Sequence, residues 1–495
     1  MIYTESFRSR SSDHFEFIGK SINYYWIERQ PGQNSKYTRV VRPLTETMRF
    51  GLLDNNLNLM KEWPALSVPG SAKQWLMAGR DGLDQIVLTS SAGKTKIIRA
   101  HLSPDENAEI QSGVVDSLGF SANPSAFLII RSEDQSKILL LAFENKAAEF
   151  TRLHAILFDS DWKPVYHRVM AEALFAQPCI QDDEIGFPAE SFDNLPVKLA
   201  NNGEWLMASP SRVSHNFSLF HVSANGLDYS SREIPLSPYY QMEDIAMSID
   251  NEQQEMTMGL LSGYSNTSLK NVQVCHYSMK QGIFDFDSSY RFNTQLRDIH
   301  DKNLSHQRFI SVPGGGYMLL KEYGSPFEFN RPPVAPFNEL ETAYLLANYS
   351  ETRIEKEDNG MGYSLKHGLS PIPFVKNRGD LNLFYFPVIS NDSVWSGVLN
   401  MEQQTEINNP DLSYLLVPAK TRLYIIYNSP DGFSDPLATT TTLNLHGQPT
   451  DGALIFWKMD RLLNFQRAHV FSAREVAVPY RNDAGFAIIR LDQAP

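Results

Sequence analysis

The stretch Asn202–Pro235 constrains the fold more than any other part of the chain, because it alternates short apolar runs with residues that form tight turns. The run EWLMAS follows Asn202-Gly203, FSLFHV leads into Ala224-Asn225-Gly226, and LDYSSREIP leaves that turn. Asn and Gly tolerate the positive φ that short turns between strands require. The pattern therefore predicts consecutive antiparallel strands joined by short loops.

Similar strand–turn–strand units recur through the chain and predict an all-β protein. A single meander of this kind leaves its faces exposed and is not stable alone. Units arranged around an axis bury both faces against their neighbours, which is the architecture of a β-propeller. The WD dipeptide is absent and Gly-Gly occurs only around Gly314, so WD and kelch repeats are disfavoured. The units begin near His14, Lys73, Ala126, Asn202, Met242, Ser305 and Asp411.

The C-terminal stretch EVAVPYRNDAGFAIIRL supplies two strands without a third or fourth. Pairing with strands of the first unit would close a ring and remove the exposed sheet edges. We therefore predict a single β-propeller domain over residues 1–495, closed by N- and C-terminal strands that share a blade. Counting that blade once gives seven blades of four antiparallel strands, with six or eight as alternatives.

Residues 323–380 interrupt the sixth unit with a connection far longer than those of the other units. A connection of this length inside a compact domain is either functional or disordered. Its aromatic residues lie among prolines, which suits a projecting loop that binds a protein partner, although a loop packed back on the ring would hide them equally well. The predicted partner-binding residues are Tyr323, Phe327, Phe329, Phe337 and Tyr349.

Charge and hydropathy exclude two classes of partner. The chain has 44 Lys and Arg against 57 Asp and Glu, a net charge of -13, and a surface of that sign repels phosphate backbones. We therefore predict no nucleic-acid binding. No apolar segment approaches the roughly 20 residues that cross a bilayer, so we predict no membrane span and membrane association only through a partner.

The N-terminal stretch MIYTESFRSRSSDHFEFIGK lacks the basic flank and apolar core of a signal peptide. The expected location is therefore the cytoplasm, or the periplasm or cell surface if a signal peptide has been removed. The two cysteines, Cys179 and Cys275, allow at most one disulfide, and their spacing does not indicate one. We interpret both as small buried hydrophobic residues.

The sequence contains only weak signals of catalytic or metal-binding sites. The acidic runs Asp182–Glu184 and Asp285 with Asp287 could serve acid–base chemistry or cation binding, but a solvated surface explains them better. His221 and His276 occupy similar places in two predicted third strands, and we interpret them as hydrogen-bonded core residues. No phosphate-binding loop, dinucleotide fingerprint or nucleophile elbow is present. We predict no catalytic residue, no metal site and no cofactor.

Two resemblances add to this interpretation. The segment ISNDSVW resembles the sialidase Asp box at Ser390, Asp392 and Trp395, but it lacks the glycine and implies no catalytic residue. The phrases RSEDQSKILLLAFE, HAILFDSDWKPVYHRV and FISVPGGGYMLLKEYG are similar to repeats of secreted or envelope-associated β-propeller proteins of Bacteroidota. That resemblance implies an exported protein, with relatives in secretion or nutrient-uptake assemblies, and it offers no catalytic motif.

Two functions are compatible with the sequence. The first is a non-catalytic interaction or scaffold subunit of a cell-envelope secretion or uptake assembly, because a rigid ring offers broad faces and needs no reactive side chain. The second is a glycan-active enzyme or glycan-binding protein with its site in the central channel. The second function requires two carboxylates from different blades that face each other across the channel, roughly 5–9.5 Å apart.

Overall fold

A computed structural model of the chain describes a set of ranges that together make up an all-β ring. Thirty-four β-strands and no α-helix are present in these ranges. The described residues are 2–8, 14–21, 23–30, 49–64, 73–91, 94–105, 111–118, 126–147, 150–172, 197–210, 217–234, 240–264, 269–293, 306–312, 316–324, 328–329, 374–388, 395–399, 403–406, 414–419, 422–428, 437–444, 455–458, 463, 465, 468–472, 475–480 and 485–491.

The N-terminal strand β1 (Ile2–Arg8) belongs to the last blade, described below. The next sixteen strands form four consecutive antiparallel sheets. Blade 1 contains β2 (His14–Ser21), β3 (Tyr24–Gln30), β4 (Arg49–Leu53) and β5 (Leu59–Pro64). Blade 2 contains β6 (Lys73–Gly79), β7 (Gly82–Ser91), β8 (Lys94–Leu102) and β9 (Gln111–Leu118). Blade 3 contains β10 (Ala126–Arg131), β11 (Lys137–Ala147), β12 (Phe150–Asp159) and β13 (Pro164–Glu172). Blade 4 contains β14 (Val197–Leu199), β15 (Trp205–Pro210), β16 (Phe217–Val222) and β17 (Tyr229–Ile234).

The second half of the chain supplies four more sheets. Blade 5 contains β18 (Tyr240–Asp250), β19 (Glu255–Tyr264), β20 (Leu269–Ser278) and β21 (Ile283–Asn293). Blade 6 contains β22 (His306–Ser311), β23 (Tyr317–Gly324), β24 (Glu328–Phe329), β25 (Phe374–Phe386), β26 (Trp395–Leu399) and β27 (Gln403–Glu406). Blade 7 contains β28 (Tyr414–Ala419), β29 (Arg422–Asn428), β30 (Leu437–Asn444) and β31 (Ile455–Lys458). Blade 8 uses β32 (His469–Ser472), β33 (Glu475–Pro479) and β34 (Gly485–Leu491) together with β1.

The sheets are arranged in a ring in which the first strand of each blade is innermost. The first strands of neighbouring blades contact each other, as β2 does with β6, β14 with β18, and β32 with β2. The ring closes in blade 8, where β1 pairs antiparallel with β34 from Ile2 opposite Leu491 to Arg8 opposite Gly485. The chain folds as an eight-bladed β-propeller.

Each blade buries both faces, because successive side chains of a strand point to opposite sides of its sheet. In β34, Phe486 and Ile488 pack on blade 1, whereas Ala487 and Ile489 pack on blade 7. Clusters of buried apolar side chains fill all eight boundaries between neighbouring blades in the described part of the chain. The inner and middle strands therefore need apolar residues at most positions, whereas outer strands such as β17 are largely exposed.

A recurring turn at one end of the blades explains the Asp, Asn and Gly clusters in the sequence. In blade 3, Trp162 N donates to Asp159 O at 3.1 Å, and Asp159 N donates to Lys163 O at 3.0 Å. Trp162 takes a φ of 61°, and Leu57 in blade 1 and Gly226 in blade 4 take 62° and 70° at the same place. The Asp159 side chain also accepts a hydrogen bond from Lys163 N at 2.9 Å, which stabilises the turn locally.

Ring closure by terminal strands is confirmed, but the strands that share the closing blade differ from the prediction. The first unit, from His14 onward, forms a complete blade of its own and does not pair with the C-terminal strands. Those strands pair instead with β1, and blade 8 also contains β32, which precedes the two predicted closing strands in the sequence. The count is therefore eight, one of the two alternatives. A single short edge strand such as IYTESFR has no turn partner in the sequence that would indicate its pairing.

Gly259 allows the close approach of blades 5 and 6. A Cβ at this position would lie 2.6 Å from Tyr317 Cδ1 and 2.9 Å from Phe309 Cε1, both in blade 6. We expect Gly259→Ala to lower the free energy of unfolding by about 1–3 kcal/mol, because the two sheets must move apart. Chemical denaturation measures this loss. Gly113→Ala is the matched control: a Cβ there meets no atom within 4 Å, and an equal loss in this variant would contradict the steric explanation.

Candidate functional site

The predicted partner-binding residues belong to blade 6. Tyr323 lies in β23 and Phe329 lies in β24, whereas Phe327, Phe337 and Tyr349 lie outside the described residues. The structure therefore does not test whether these aromatic side chains form one patch. It does show how the chain enters and leaves the predicted insertion.

Blade 6 is extended beyond the four strands of an ordinary blade. The C-terminal half of β25 pairs with β23 and β26, while its N-terminal half pairs with β24 and β27. Phe329, the last residue of β24, lies directly opposite Phe374, the first residue of β25. The chain therefore leaves the described sheet after Phe329 and returns to it at Phe374, its cross-strand partner.

The buried carboxylate of Asp84, in β7, accepts four side-chain hydrogen bonds. Its Oδ1 accepts hydrogen bonds from Arg99 Nε and His101 Nδ1, each at 2.8 Å, both from β8 of the same blade. Its Oδ2 accepts from two groups of blade 3, Trp162 Nε1 at 3.0 Å and Arg131 Nη2 at 3.3 Å. One carboxylate thus joins blades 2 and 3.

The charge state of Asp84 follows from these donors. Burial alone would raise the pKa of this carboxyl, but the hydrogen bond from His101 and the positive charge of Arg99 outweigh burial and lower the pKa below its ordinary value. Asp84 is therefore an anion at neutral pH, surrounded by cations. Its bonding capacity is filled by protein groups, which makes it a structural ion.

A second cluster of the same kind joins blades 8 and 1. Glu475, at the start of β33, accepts hydrogen bonds from Arg490 Nε at 3.0 Å, from the Tyr25 hydroxyl at 2.6 Å, and from Lys20 Nζ. Burial again opposes ionisation, but the hydrogen bonds from Lys20, Tyr25 and Arg490 lower the Glu475 pKa. Burial and the Glu475 hydrogen bond raise the pKa of the Tyr25 hydroxyl. This cluster lies beside the blade that closes the ring.

A third cluster joins blades 4 and 5 through histidine. His221 Nε2 lies 3.0 Å from Glu204 Oε2, and its Nδ1 lies 2.9 Å from the hydroxyl of Tyr277 in blade 5. Burial raises the pKa of that hydroxyl, and the nearby Glu204 raises it further. His276 pairs with Glu255 at 3.4 Å in the next blade. The interpretation of His221 as a hydrogen-bonded core residue is therefore confirmed, whereas His276 is only partly buried. Both histidines lie in third strands, away from the innermost ones.

The three clusters share a pattern that the sequence analysis missed. An acidic residue near the start of a second strand pairs with a basic residue near the end of the third strand of the same blade. The pairs are Asp84 with His101, Glu204 with His221, and Glu475 with Arg490. These acids are spaced irregularly in the sequence. The only sequence signal is a single acid at the edge of an apolar run, which surface strands also show.

Some of the other residues interpreted from the sequence lie in the described ranges, and others lie outside them. Cys275 is buried, as expected, and Cys179 lies outside the described residues. Asp285 and Asp287 lie in β21, the outermost strand of blade 5, while 182–184 lie outside the description. Within the described ranges, no three His, Cys, Asp or Glu residues are grouped so that they could hold a metal ion. No helix long and apolar enough to cross a membrane occurs in those ranges.

Comparison with known proteins supports no family assignment. No protein-family model and no curated protein matches the chain. Among solved structures, the β-propeller domain of the Trilobed protease from Pyrococcus furiosus matches at 8% identity and a TM-score of 0.27, over 78% of this chain and 97% of that chain. Hsv2 of Kluyveromyces lactis matches at 8% identity and a TM-score of 0.24, over 56% of this chain and 85% of that chain. Such distant likeness carries no functional argument, and the fold assignment rests on the sheet order described above.

Proposed function

We propose that the chain is a non-catalytic β-propeller that acts as a protein-interaction or scaffold subunit. The observation that carries this proposal is that buried ionisable groups are used in bonds between blades. Asp84 joins blades 2 and 3, Glu475 joins blades 8 and 1, and His221 joins blades 4 and 5. A ring joined in this way is a rigid support for surface loops, and loops on a rigid support are where binding residues concentrate.

The insertion in blade 6 is the partner-binding element in this proposal. The described residues on either side of 330–373 are cross-strand partners, Phe329 at the end of β24 and Phe374 at the start of β25. The segment with its flanks carries the aromatic residues Tyr323, Phe327, Phe329, Phe337 and Tyr349. Aromatic residues are enriched among those that dominate binding at protein interfaces.

The proposed place of this scaffold is a cell-envelope secretion or uptake assembly, in the periplasm or at the cell surface. This proposed location is supported by the similarity of sequence segments such as HAILFDSDWKPVYHRV to envelope-associated propellers of Bacteroidota. In such an assembly the partner provides the contact with the membrane. Cell fractionation of the native host with an antibody against the chain tests this location, and recovery in the cytoplasm alone would exclude it.

Replacement of residues 330–373 by Asn-Gly tests the binding role. Because Phe329 and Phe374 are cross-strand partners, a two-residue turn can join them and the blade should still form. We expect the variant to melt like the parent chain but to lose its partners in affinity capture from the native host followed by mass spectrometry.

The control for this replacement is a quadruple substitution of Phe327, Phe329, Phe337 and Tyr349 by Ser in the full-length chain. It keeps the segment and removes only the aromatic anchors, so it should lose the same partners. Retention of the same partners by the shortened variant, with an unchanged melting curve, would contradict the assigned role of the insertion.

A further inference from the structure

Three consecutive blades expose a large aliphatic side chain in, or within two residues after, the turn between the third and fourth strands. Val165 follows the turn between β12 and β13 in blade 3, Leu227 lies in the turn between β16 and β17 in blade 4, and Ile283 begins β21 in blade 5. Their exposed fractions are 50%, 78% and 49%. Isolated exposed apolar residues are ordinary, but exposure beside the corresponding turns of adjacent blades indicates a shared surface.

Arginine side chains join the turns that carry these residues. Arg168 of β13 donates to the carbonyl oxygens of Gly226 and Leu227 in blade 4, with 2.9 Å to Leu227 O. Arg232 of β17 donates to Phe284 O in blade 5. β13 is thereby attached to the turn of blade 4, and β17 is attached to the start of β21 in blade 5. The three aliphatic residues are consequently fixed relative to one another.

The inner turns on the same face of these blades are joined by a chain of polar contacts. Asp134 N donates to Asn201 Oδ1 at 3.1 Å, Asn201 N donates to Asn251 Oδ1 at 2.8 Å, and Asn251 Nδ2 donates to Glu133 Oε2 at 2.9 Å. These contacts connect blade 3 to blade 4 and blade 5 to blades 3 and 4. The face is therefore ordered on its inner side as well as on its outer side.

This face is acidic. The six turns of blades 3–5 contain nine Asp or Glu residues and three Lys residues; the turns are 132–137, 159–163, 201–204, 223–228, 250–255 and 278–283. Charge complementarity selects partners and suppresses binding of like charge. Nucleic acid and anionic lipid are repelled, and so is a second copy of this chain, whose net charge is -13. A basic protein segment is the occupant whose charge matches.

We propose that the turn face of blades 3–5 binds a basic segment of a partner protein that carries aliphatic side chains. The aliphatic side chains contact Val165, Leu227 and Ile283, and the basic side chains lie over the acidic turns. This inference rests on the proposed interaction role and specifies one partner class for it, at a surface separate from the blade 6 insertion.

The test uses the full-length chain and two synthetic peptides, one of alternating Lys and Leu and one of alternating Glu and Leu. Fluorescence anisotropy measures binding at several salt concentrations, and hydrogen exchange maps the contact. We expect the Lys/Leu peptide to bind, with protection at residues 159–163, 223–228 and 278–283. Its affinity should fall as salt rises, and the Glu/Leu peptide should not bind.

The matched variants separate the apolar contact from general attraction to an acidic protein. The triple substitution Val165→Ser, Leu227→Ser and Ile283→Ser keeps every charge and should weaken binding by about tenfold or more. The double substitution Val114→Ser and Val169→Ser removes exposed apolar residues elsewhere on the outer strands and should change binding less than about twofold. Glu252→Gln with Asp228→Asn should weaken binding and reduce its salt dependence.

Several outcomes overturn the proposal. They are equal binding by the triple variant, equal binding of the Glu/Leu peptide, or protection confined to other blades. Self-association in sedimentation that the triple substitution abolishes would assign the face to a second copy instead. Failure of this proposal is distinguishable from failure of the insertion proposal. The variant that lacks residues 330–373 keeps the turn face of blades 3–5, so it should bind the Lys/Leu peptide like the parent chain.

Discussion

Asp84→Ala should lower the free energy of unfolding by about 3–5 kcal/mol, the loss typical of breaking a buried ion pair from one side. The substitution removes the acceptor of four donors and leaves Arg99, His101 and Arg131 close together without their anion. It also leaves the indole N–H of the buried Trp162 without its acceptor. Chemical denaturation at pH 7 measures the loss. Asp161→Ala is the control, because Asp161 pairs at the exposed surface with Lys163 at 3.4 Å and should contribute less than about 1 kcal/mol.

The pH dependence of the stability difference between the parent chain and Asp84→Ala tests whether that difference is electrostatic. The pKa of Asp84 is lower in the folded chain than its ordinary value of 3.8, so the folded state favours the ionised form. The stabilisation is therefore fully present above about pH 4 and is lost as the pH falls through the folded-state pKa. We expect the parent chain and Asp84→Ala to converge in stability as the pH is lowered below 4. A difference that stays constant from pH 7 to the acid transition would show that lost packing, and not charge, is responsible.

Glu475→Ala should weaken the closure of the ring, with a loss of about 3 kcal/mol in the free energy of unfolding. Lys20 and Arg490 would keep their positive charges in partly buried positions, and the Tyr25 hydroxyl would lose its carboxylate acceptor. Because blade 8 is completed only by the N-terminal β1, we expect the weakened boundary to open locally before the ring unfolds. Hydrogen exchange should then increase in β1, β33 and β34 more than in blades 3–5.

The control for the closing cluster is Glu62→Ala in blade 1. Glu62 pairs with Arg49 at 3.5 Å, and the Arg49 side chain is largely exposed, so we expect a loss below about 1 kcal/mol and unchanged exchange in blade 8. If Glu475→Ala accelerated exchange evenly around the ring, the cluster would contribute to general stability and not to closure.

The all-β ring and most of its strands are predictable from the sequence because their determinants are local. Turn residues such as Asp159 and Gly226 form hydrogen bonds within a few positions of themselves, and apolar runs bounded by such turns mark the strands. The closing blade was only partly predictable. Two C-terminal strands without partners indicated closure, but β1 has no local feature that identifies it as their partner.

The polar clusters could not be predicted, because their members are distant in the sequence. Asp84 and Trp162 are 78 positions apart, and Glu475 and Lys20 are 455 positions apart. Each residue alone is compatible with a solvated surface, and only the packing of neighbouring blades brings the donors to the carboxylate. The aliphatic and acidic turn face of blades 3–5 has the same origin, since Val165, Leu227 and Ile283 come to lie beside corresponding turns of adjacent blades only in the ring.

The sequence by itself determined the strands, the turns and the need to bury both faces of every sheet, since alternation and turn chemistry act over a few residues. Tertiary structure alone decided the number of blades, the identity of the closing strand and the partners of each buried charge. The physical reason is that these features depend on contacts between sheets, and such contacts arise only when distant segments pack around a common axis.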